Sequence, residues 1–186
     1  DHARTSDVVA AVDDAVAHLG GLDAAFLNAG VDGEARPAAK LSLAHFRHVL
    51  EVNVLGTFAV AQAALRHLSR PGTLLLNASV NALKPEPGFL DYNASKAAVV
   101  SMAKSLALEL SHEQITVIAL CPGYFPTRMT QPYFEDTDTR EEILSRIPAG
   151  RFGELAEIAR TVDFLLSPGA RFMHGGVVTL DGGTHL

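Results

Sequence analysis

TLLLNASVNALKPEPGFLDYNASKAAVVSMAKSLALELSHEQITVIALCPG, residues 73–123, decides the fold. It opens on a short apolar run, Thr73–Leu76, and closes on another, Ile115–Leu120, stopped by Pro122-Gly123. Between them Leu90–Leu110, rich in Ala and Ser, reads as a long helix. Strands apolar without alternation must be covered on both faces, and the helices that separate them supply the cover. Working outward, Ser6–Leu19 is a helix with Val8, Val9, Val12, Val16 and Leu19 on its apolar side and Gly20-Gly21 at its end. Ala24–Leu27 is an apolar run ahead of Asn28-Ala29-Gly30, and Ser42–Leu68 is a second helix. A last helix lies near Glu154–Leu166, and Val177–Leu180 is a final strand. The predicted fold class is α/β, an open doubly wound parallel sheet in one domain spanning residues 1–186.

Composition agrees. A chain of 186 residues suits one domain with a sizeable core, and 48% hydrophobic residues with only 15 Gly and 9 Pro argue against disorder. The net charge of -6 excludes a broad footprint on nucleic acid or an anionic membrane. Charge, Gly or Pro interrupts each apolar run before the length of about 18 residues that a membrane span needs. The single cysteine, Cys121, excludes an internal disulfide framework and suits a reducing compartment, so a cytoplasmic location is expected. Cys121 ends an apolar strand before Pro122 and reads as a small buried core residue.

In doubly wound sheets ligands bind outside the carboxyl ends of the strands. Here those ends are Asn28–Gly30, Ala78-Ser79 and Cys121–Gly123. Tyr92 and Lys96, four apart, share one helix face. A phenol with a reference pKa near 10 is a poor base at neutral pH, and an ammonium within a few ångströms favours the phenolate. Tyr92 could then exchange a proton with a carbonyl or hydroxyl oxygen. Ser79, just past a strand, could donate to the same oxygen. Asn53, on a largely apolar helical stretch, needs a partner for its amide: a backbone group, or a water feeding protons to the lysine. His45, His48 and Glu51 share a helix face but lack a metal-binding spacing, and a solvated polar face accounts for them, so no metal is expected. The stretch 124–147 is long and polar and reads either as a solvated connection or as a substrate lid, and its position after a strand end favours the lid.

These pieces together resemble the short-chain dehydrogenase/reductase family in its single-domain form. The resemblance is carried by Asn28-Ala29-Gly30, Asn53, Ser79, Tyr92-Asn93-Ala94-Ser95-Lys96, Pro122-Gly123-Tyr124-Phe125-Pro126-Thr127 and the ending Gly175–Gly183, in the family's order along the whole chain. It implies an oxidoreductase interconverting a secondary alcohol and a ketone with NAD or NADP. Tyr92 would be the acid/base, with Lys96 lowering its pKa and holding the nicotinamide ribose. Ser79 would orient the substrate carbonyl, and Asn53 would complete the set through a water. Asn28, Ala29 and Gly30 would line the adenosine half of the cofactor, Pro122, Gly123, Phe125 and Thr127 the nicotinamide end, and Asp1 would contact the adenine. The substrate pocket would draw on Asn81, Leu83, Phe89, Tyr124, Gln131, Tyr133 and Phe134. Those residues hold no cluster of Arg or Lys to demand a phosphate or polycarboxylate. A modest ketone, a sugar-like polyol or a β-ketoacyl thioester would all fit.

The family's glycine-rich phosphate turn follows a first strand, and none precedes the matched region here, since Gly20-Gly21 stands between a helix and a strand. The expectation is that two βα units and a third strand, on the order of 50 to 65 residues, belong ahead of Asp1. The competing reading is a catalytically silent scaffold acting through assembly. It is motivated by the absent turn and by the small residues Ala61, Ala63, Ala64, Ala94, Ser95, Ala97, Ala98, Ser101 and Ala103, which permit close helix packing between subunits. On either reading the partner is expected to be a second copy of the chain, as a homodimer or homotetramer.

Overall fold

The four apolar runs pair as parallel strands, each beside its neighbour in sequence. The computed structural model describes residues 5–186, with side chains from Asp7 onward. In it β1 (Leu22–Leu27), β2 (Leu68–Asn77), β3 (Ile115–Pro122) and β4 (Val177–Leu180) form one sheet in the order β1-β2-β3-β4. All three pairings are parallel. Asp1 lies outside the described residues.

The absence of polar alternation has a direct cause. Leu74, Leu76, Val117, Ala119 and Cys121 pack with Ala61, Val99 and Ala103 on one face of the sheet. Leu75, Ile118 and Leu120 pack with Leu165 and Ala170 on the other. Every position of the strand interior is thus a core position, and each leucine buried there contributes about 1.5–3 kcal/mol. Cys121 is fully buried in this core, as expected.

The helices supply the two covers. α1 (Thr5–Leu19) ends where Gly20 takes φ 78° and its N–H donates to the Val16 carbonyl at 3.0 Å. The long second helix is a composite: α2 (Leu43–Leu50), a π-helical segment Glu51–Gly56, and α3 (Thr57–Leu65). It starts where Ser42 Oγ accepts from the His45 N–H at 3.0 Å. It stops three residues short of the expected Leu68 because Leu68 pairs with Leu22 in the sheet. By length and composition alone Leu43–Leu65 could cross a membrane, but half of its apolar window is buried in this fold, where it packs on α1 and α4. α4 (Leu90–Leu110) has the expected bounds. α7 (Leu155–Leu166) starts at a capping box between Glu154 and Glu157.

The polar stretch 124–147 holds two helices that periodicity did not reveal, α5 (Gln131–Glu135) and α6 (Thr137–Ser145). α6 is capped by Asp136 Oδ1, which accepts from the Thr139 N–H at 2.8 Å. Of the small helix residues, Ala61, Ala63, Ala64, Ser95 and Ala103 are buried within the chain, so their size serves close approach inside the fold. Ala97 and Ser101 are exposed.

Candidate active site

β2 delivers Asn77 and, just past its end, Ser79. Ser79 is extended (φ -167°, ψ 158°), and its Oγ caps the short turn Val80–Ala82 by accepting from the Asn81 N–H at 3.2 Å. The first turns of α4 deliver Tyr92 and Lys96. Lys96 is 5% exposed, and its Nζ donates to the Asn77 carbonyl at 3.0 Å while standing 5.6 Å from the centre of the Tyr92 ring. One hydrogen bond thereby ties the helix to the strand end.

Asn53 comes from the π-helical segment, the local irregularity that often marks function. Its amide bonds a backbone, one of the two expectations for it. Oδ1 accepts from the Val31 N–H at 2.8 Å, and Nδ2 donates to the Val31 carbonyl at 2.9 Å and to Ser95 Oγ at 3.0 Å. Ser95 Oγ in turn donates to the Tyr92 carbonyl at 2.8 Å. Asn53 therefore straps the loop after β1 to α4. Gly30 lies inside that strap. A Cβ there would stand 3.1 Å from Asn53 Oδ1 and 3.5 Å from Lys96 Nζ.

A cleft of about 490 Å³ opens across the strand ends. Asn28, Ala29, Gly30, Pro122, Gly123, Phe125 and Thr127 all line it, together with Ser79, Tyr92 and Lys96. A second cavity of about 300 Å³ shares Ser79, Tyr92 and Gly123 with the cleft and lies toward α5 and α6. Ser79 and Tyr92 thus stand where two cavities meet.

A family model described as enoyl-(acyl carrier protein) reductase matches residues 1–185. Among curated proteins, 4-formylbenzenesulfonate dehydrogenase of Comamonas testosteroni is 36% identical over 191 residues, covering 100% of this chain and 76% of its own length. The chain belongs to the short-chain dehydrogenase/reductase family. Glucose 1-dehydrogenase of Gluconobacter oxydans, another relative, is 32% identical over 100% of this chain and 71% of its own length. The solved 3-ketoacyl-(acyl-carrier-protein) reductase from Brucella melitensis complexed with NADH superposes with a TM-score of 0.90 at 30% identity, over 100% of this chain and 76% of that one. A short-chain dehydrogenase from Burkholderia cenocepacia in complex with NADP gives 0.93 at 32% identity, over 100% and 75%.

The electrostatics of this dehydrogenase/reductase site differ from the expectation in one respect. Burial pushes the Tyr92 phenol up to about 12. The hydrogen bond with Ser79 works against that rise, and the negative charge of Asp32 adds to it. Lys96 does not supply the lowering expected of it. Its ammonium stands 5.6 Å from the ring centre and gives one of its hydrogen bonds to the Asn77 carbonyl, and burial pulls its own pKa down to about 8.

Of the expected pocket residues, Asn81, Phe89, Tyr124 and Tyr133 line the smaller cavity. Leu83, Gln131 and Phe134 do not. Leu83 is 42% exposed, Gln131 Nε2 donates to Glu135 Oε1 at 2.6 Å, and Phe134 packs edge-on against Phe152 with centres 4.4 Å apart. Charged residues that patterning did not single out line the cavity instead: Asp32, Glu86, Glu142 and Arg146.

Asp91 was also missed. Fully buried in the first turn of α4, it accepts from the backbone N–H groups of Tyr92 at 2.8 Å and Glu34 at 3.3 Å, a favourable place for a negative charge. Its position one residue into a helix was the available signal. His45, weighed above as a surface or metal residue, stands 3.2 Å from the Asp91 carboxylate. Gly33 lets its loop pass close to Asp91, since a Cβ there would meet Asp91 Oδ1 at 2.5 Å. Among the described residues no group of three or more His, Cys, Asp or Glu could hold a metal ion.

Proposed function

We propose that this chain is an NAD(P)-dependent oxidoreductase interconverting a secondary alcohol and a ketone, with Tyr92 as the acid/base. The observation that carries the reading is the position of Ser79 and Tyr92 at the junction of the two cavities, with Lys96 behind Tyr92 in the larger one. The larger cleft fits a dinucleotide. The buried Lys96 ammonium has three protons and, among the described residues, one hydrogen-bond acceptor, so donors remain for ribose hydroxyls. The buried Asn77 Oδ1 has no hydrogen-bond partner among the described residues and can accept from one. Gly30 and Gly123 leave the backbone open to close approach, since a Cβ on Gly123 would meet the Asp181 backbone at 2.8 Å.

When bound, the nicotinamide supplies or takes the hydride. The chain's residues do the rest. Asn28, Ala29 and Gly30 would line the adenosine side, and Pro122, Gly123, Phe125 and Thr127 the nicotinamide end. Ser79 Oγ donates to the substrate oxygen and fixes it. Tyr92, held protonated by burial, donates its phenolic proton to that oxygen in reduction and takes it back in oxidation. Asn53 keeps the loop and helix in register. The stretch 124–147 acts as the lid over the smaller cavity. Self-association, as a homodimer or homotetramer, is supported by Leu55 on the π-helical turn, Phe58 on α3 and Leu108 on α4, which are 54%, 44% and 81% exposed.

The test is Tyr92→Phe, assayed by nicotinamide absorbance on a ketone panel. Turnover should fall about 10²–10⁴-fold, with circular dichroism and cofactor binding retained. A rate within a factor of about three of the parent would sink the mechanism.

A further inference from the structure

We infer that the cavity on the substrate side of Tyr92 selects uncharged, hydroxyl-rich substrates and turns anions away, an assignment that rests on the oxidoreductase reading above. Four charged side chains line this cavity, Asp32, Glu86, Glu142 and Arg146, so three carboxylates face one guanidinium. The guanidinium is committed on both sides. Arg146 Nη1 donates to Glu86 Oε1 at 3.1 Å, and Arg146 Nη2 pairs with Glu142 Oε1. Among the described residues no other cation lines the cavity to pair with an incoming carboxylate, phosphate or sulfonate. The surplus negative charge repels one, and the repulsion is stronger in a partly enclosed site than in water.

The hydrogen-bond polarity of the wall points the same way. The Tyr133 hydroxyl donates to Asp32 Oδ2 at 2.7 Å, and the Tyr124 hydroxyl donates to Glu86 Oε2 at 3.1 Å. A phenol that has given its proton away still offers oxygen lone pairs. One of the two Asn81 Nδ2 protons is likewise given to Asn93 Oδ1 at 3.0 Å. Beyond Ser79 and Tyr92, which address the reacting oxygen, the carboxylates and the two phenol oxygens make this wall richer in acceptors than in donors. A ligand that brings its own O–H donors matches them, and one that brings more acceptors does not. Phe89 and Ile143 cover the carbon skeleton, and a volume of about 300 Å³ is at the small end for a ligand cavity. Together these features separate a sugar-like polyol from the other candidates that the sequence left equal.

The experiment uses the purified enzyme with NAD and NADP and pairs of compounds that share a carbon chain: ribitol with D-ribonate, and D-sorbitol with D-gluconate. Reduction of the neutral diketone 2,3-butanedione serves as a reference. In at least one pair the polyol should exceed the aldonate in kcat/KM by about tenfold or more. Glu86→Gln removes one carboxylate and releases one side of Arg146, so it should narrow that ratio by raising the aldonate. If Glu86→Gln does not fold, Asp32→Asn is read in the same way. An aldonate turned over as well as its polyol overturns the inference. So does turnover of neither member while Tyr92-dependent reduction of the diketone proceeds, and the oxidoreductase reading then stands. Failure of every substrate, with no binding of NADH or NADPH by the enzyme, overturns that reading and this inference with it.

Discussion

Replacing Asn53 with alanine should destabilise the protein by about 2–4 kcal/mol, and the figure follows from three hydrogen bonds. Asn53 is 1% exposed, and its amide satisfies both the N–H and the C=O of Val31 as well as Ser95 Oγ. Ser95 keeps its bond to the Tyr92 carbonyl, so its loss is small. Val31 loses both partners. A buried backbone group left without a partner costs about 1–3 kcal/mol, and Val31 is only half-buried, so each of its two groups falls at the lower part of that range. For a chain of this length each kcal/mol moves Tm by about 2–4 °C, so Tm should drop by about 4–16 °C. Urea denaturation followed by circular dichroism gives the free energy, and a thermal melt gives Tm. Because the loop carrying Asn28–Gly30 is released, cofactor KM should rise more than kcat falls. A loss below about 0.5 kcal/mol would refute the reasoning, because water would then be replacing the amide at little cost.

The pH profile tests the state of Tyr92. With the phenol pushed up to about 12, the phenolate that oxidation needs is scarce at neutral pH and grows about tenfold per unit, so oxidation should climb steeply between pH 6 and 8 while reduction stays flat. A flat oxidation limb would contradict it. Ser79→Ala removes the hydrogen bond that favours the phenolate, so it should move the oxidation limb to still higher pH, read from the same profiles. Gly153→Ala places a Cβ 2.1 Å from the Phe125 ring, which should cost about 1–3 kcal/mol in a denaturation curve and raise cofactor KM through the displaced wall of the cleft. Cys121, fully buried and with its thiol pushed up to about 11, should resist thiol reagents in the native protein and react only on unfolding, as a timed labelling assay would show.

What the sequence determined by itself was everything carried by short-range pattern. The runs at 73–76 and 115–120 were legible as strands because both faces of the sheet are covered, which removes alternation. Tyr92 and Lys96 were legible as a pair because helical periodicity puts residues four apart on one face. The rule that ligands sit at strand ends then placed Asn28–Gly30, Ser79 and Pro122–Gly123 around one cleft, and the fold brings them together there.

Only the tertiary structure decided what depends on distant partners. Asp32 and Tyr133 are 101 residues apart, and Glu86 and Arg146 are 60 apart, so no local pattern could announce that they share a cavity. The two helices of the 124–147 stretch escaped because α5 is a single short turn and α6, held by its Asp136 cap, is only weakly amphipathic. The direction of the Tyr92 shift escaped for the same reason. Spacing shows that a lysine is near, but burial is set by the surrounding segments, and here burial outweighs the neighbouring hydrogen bond.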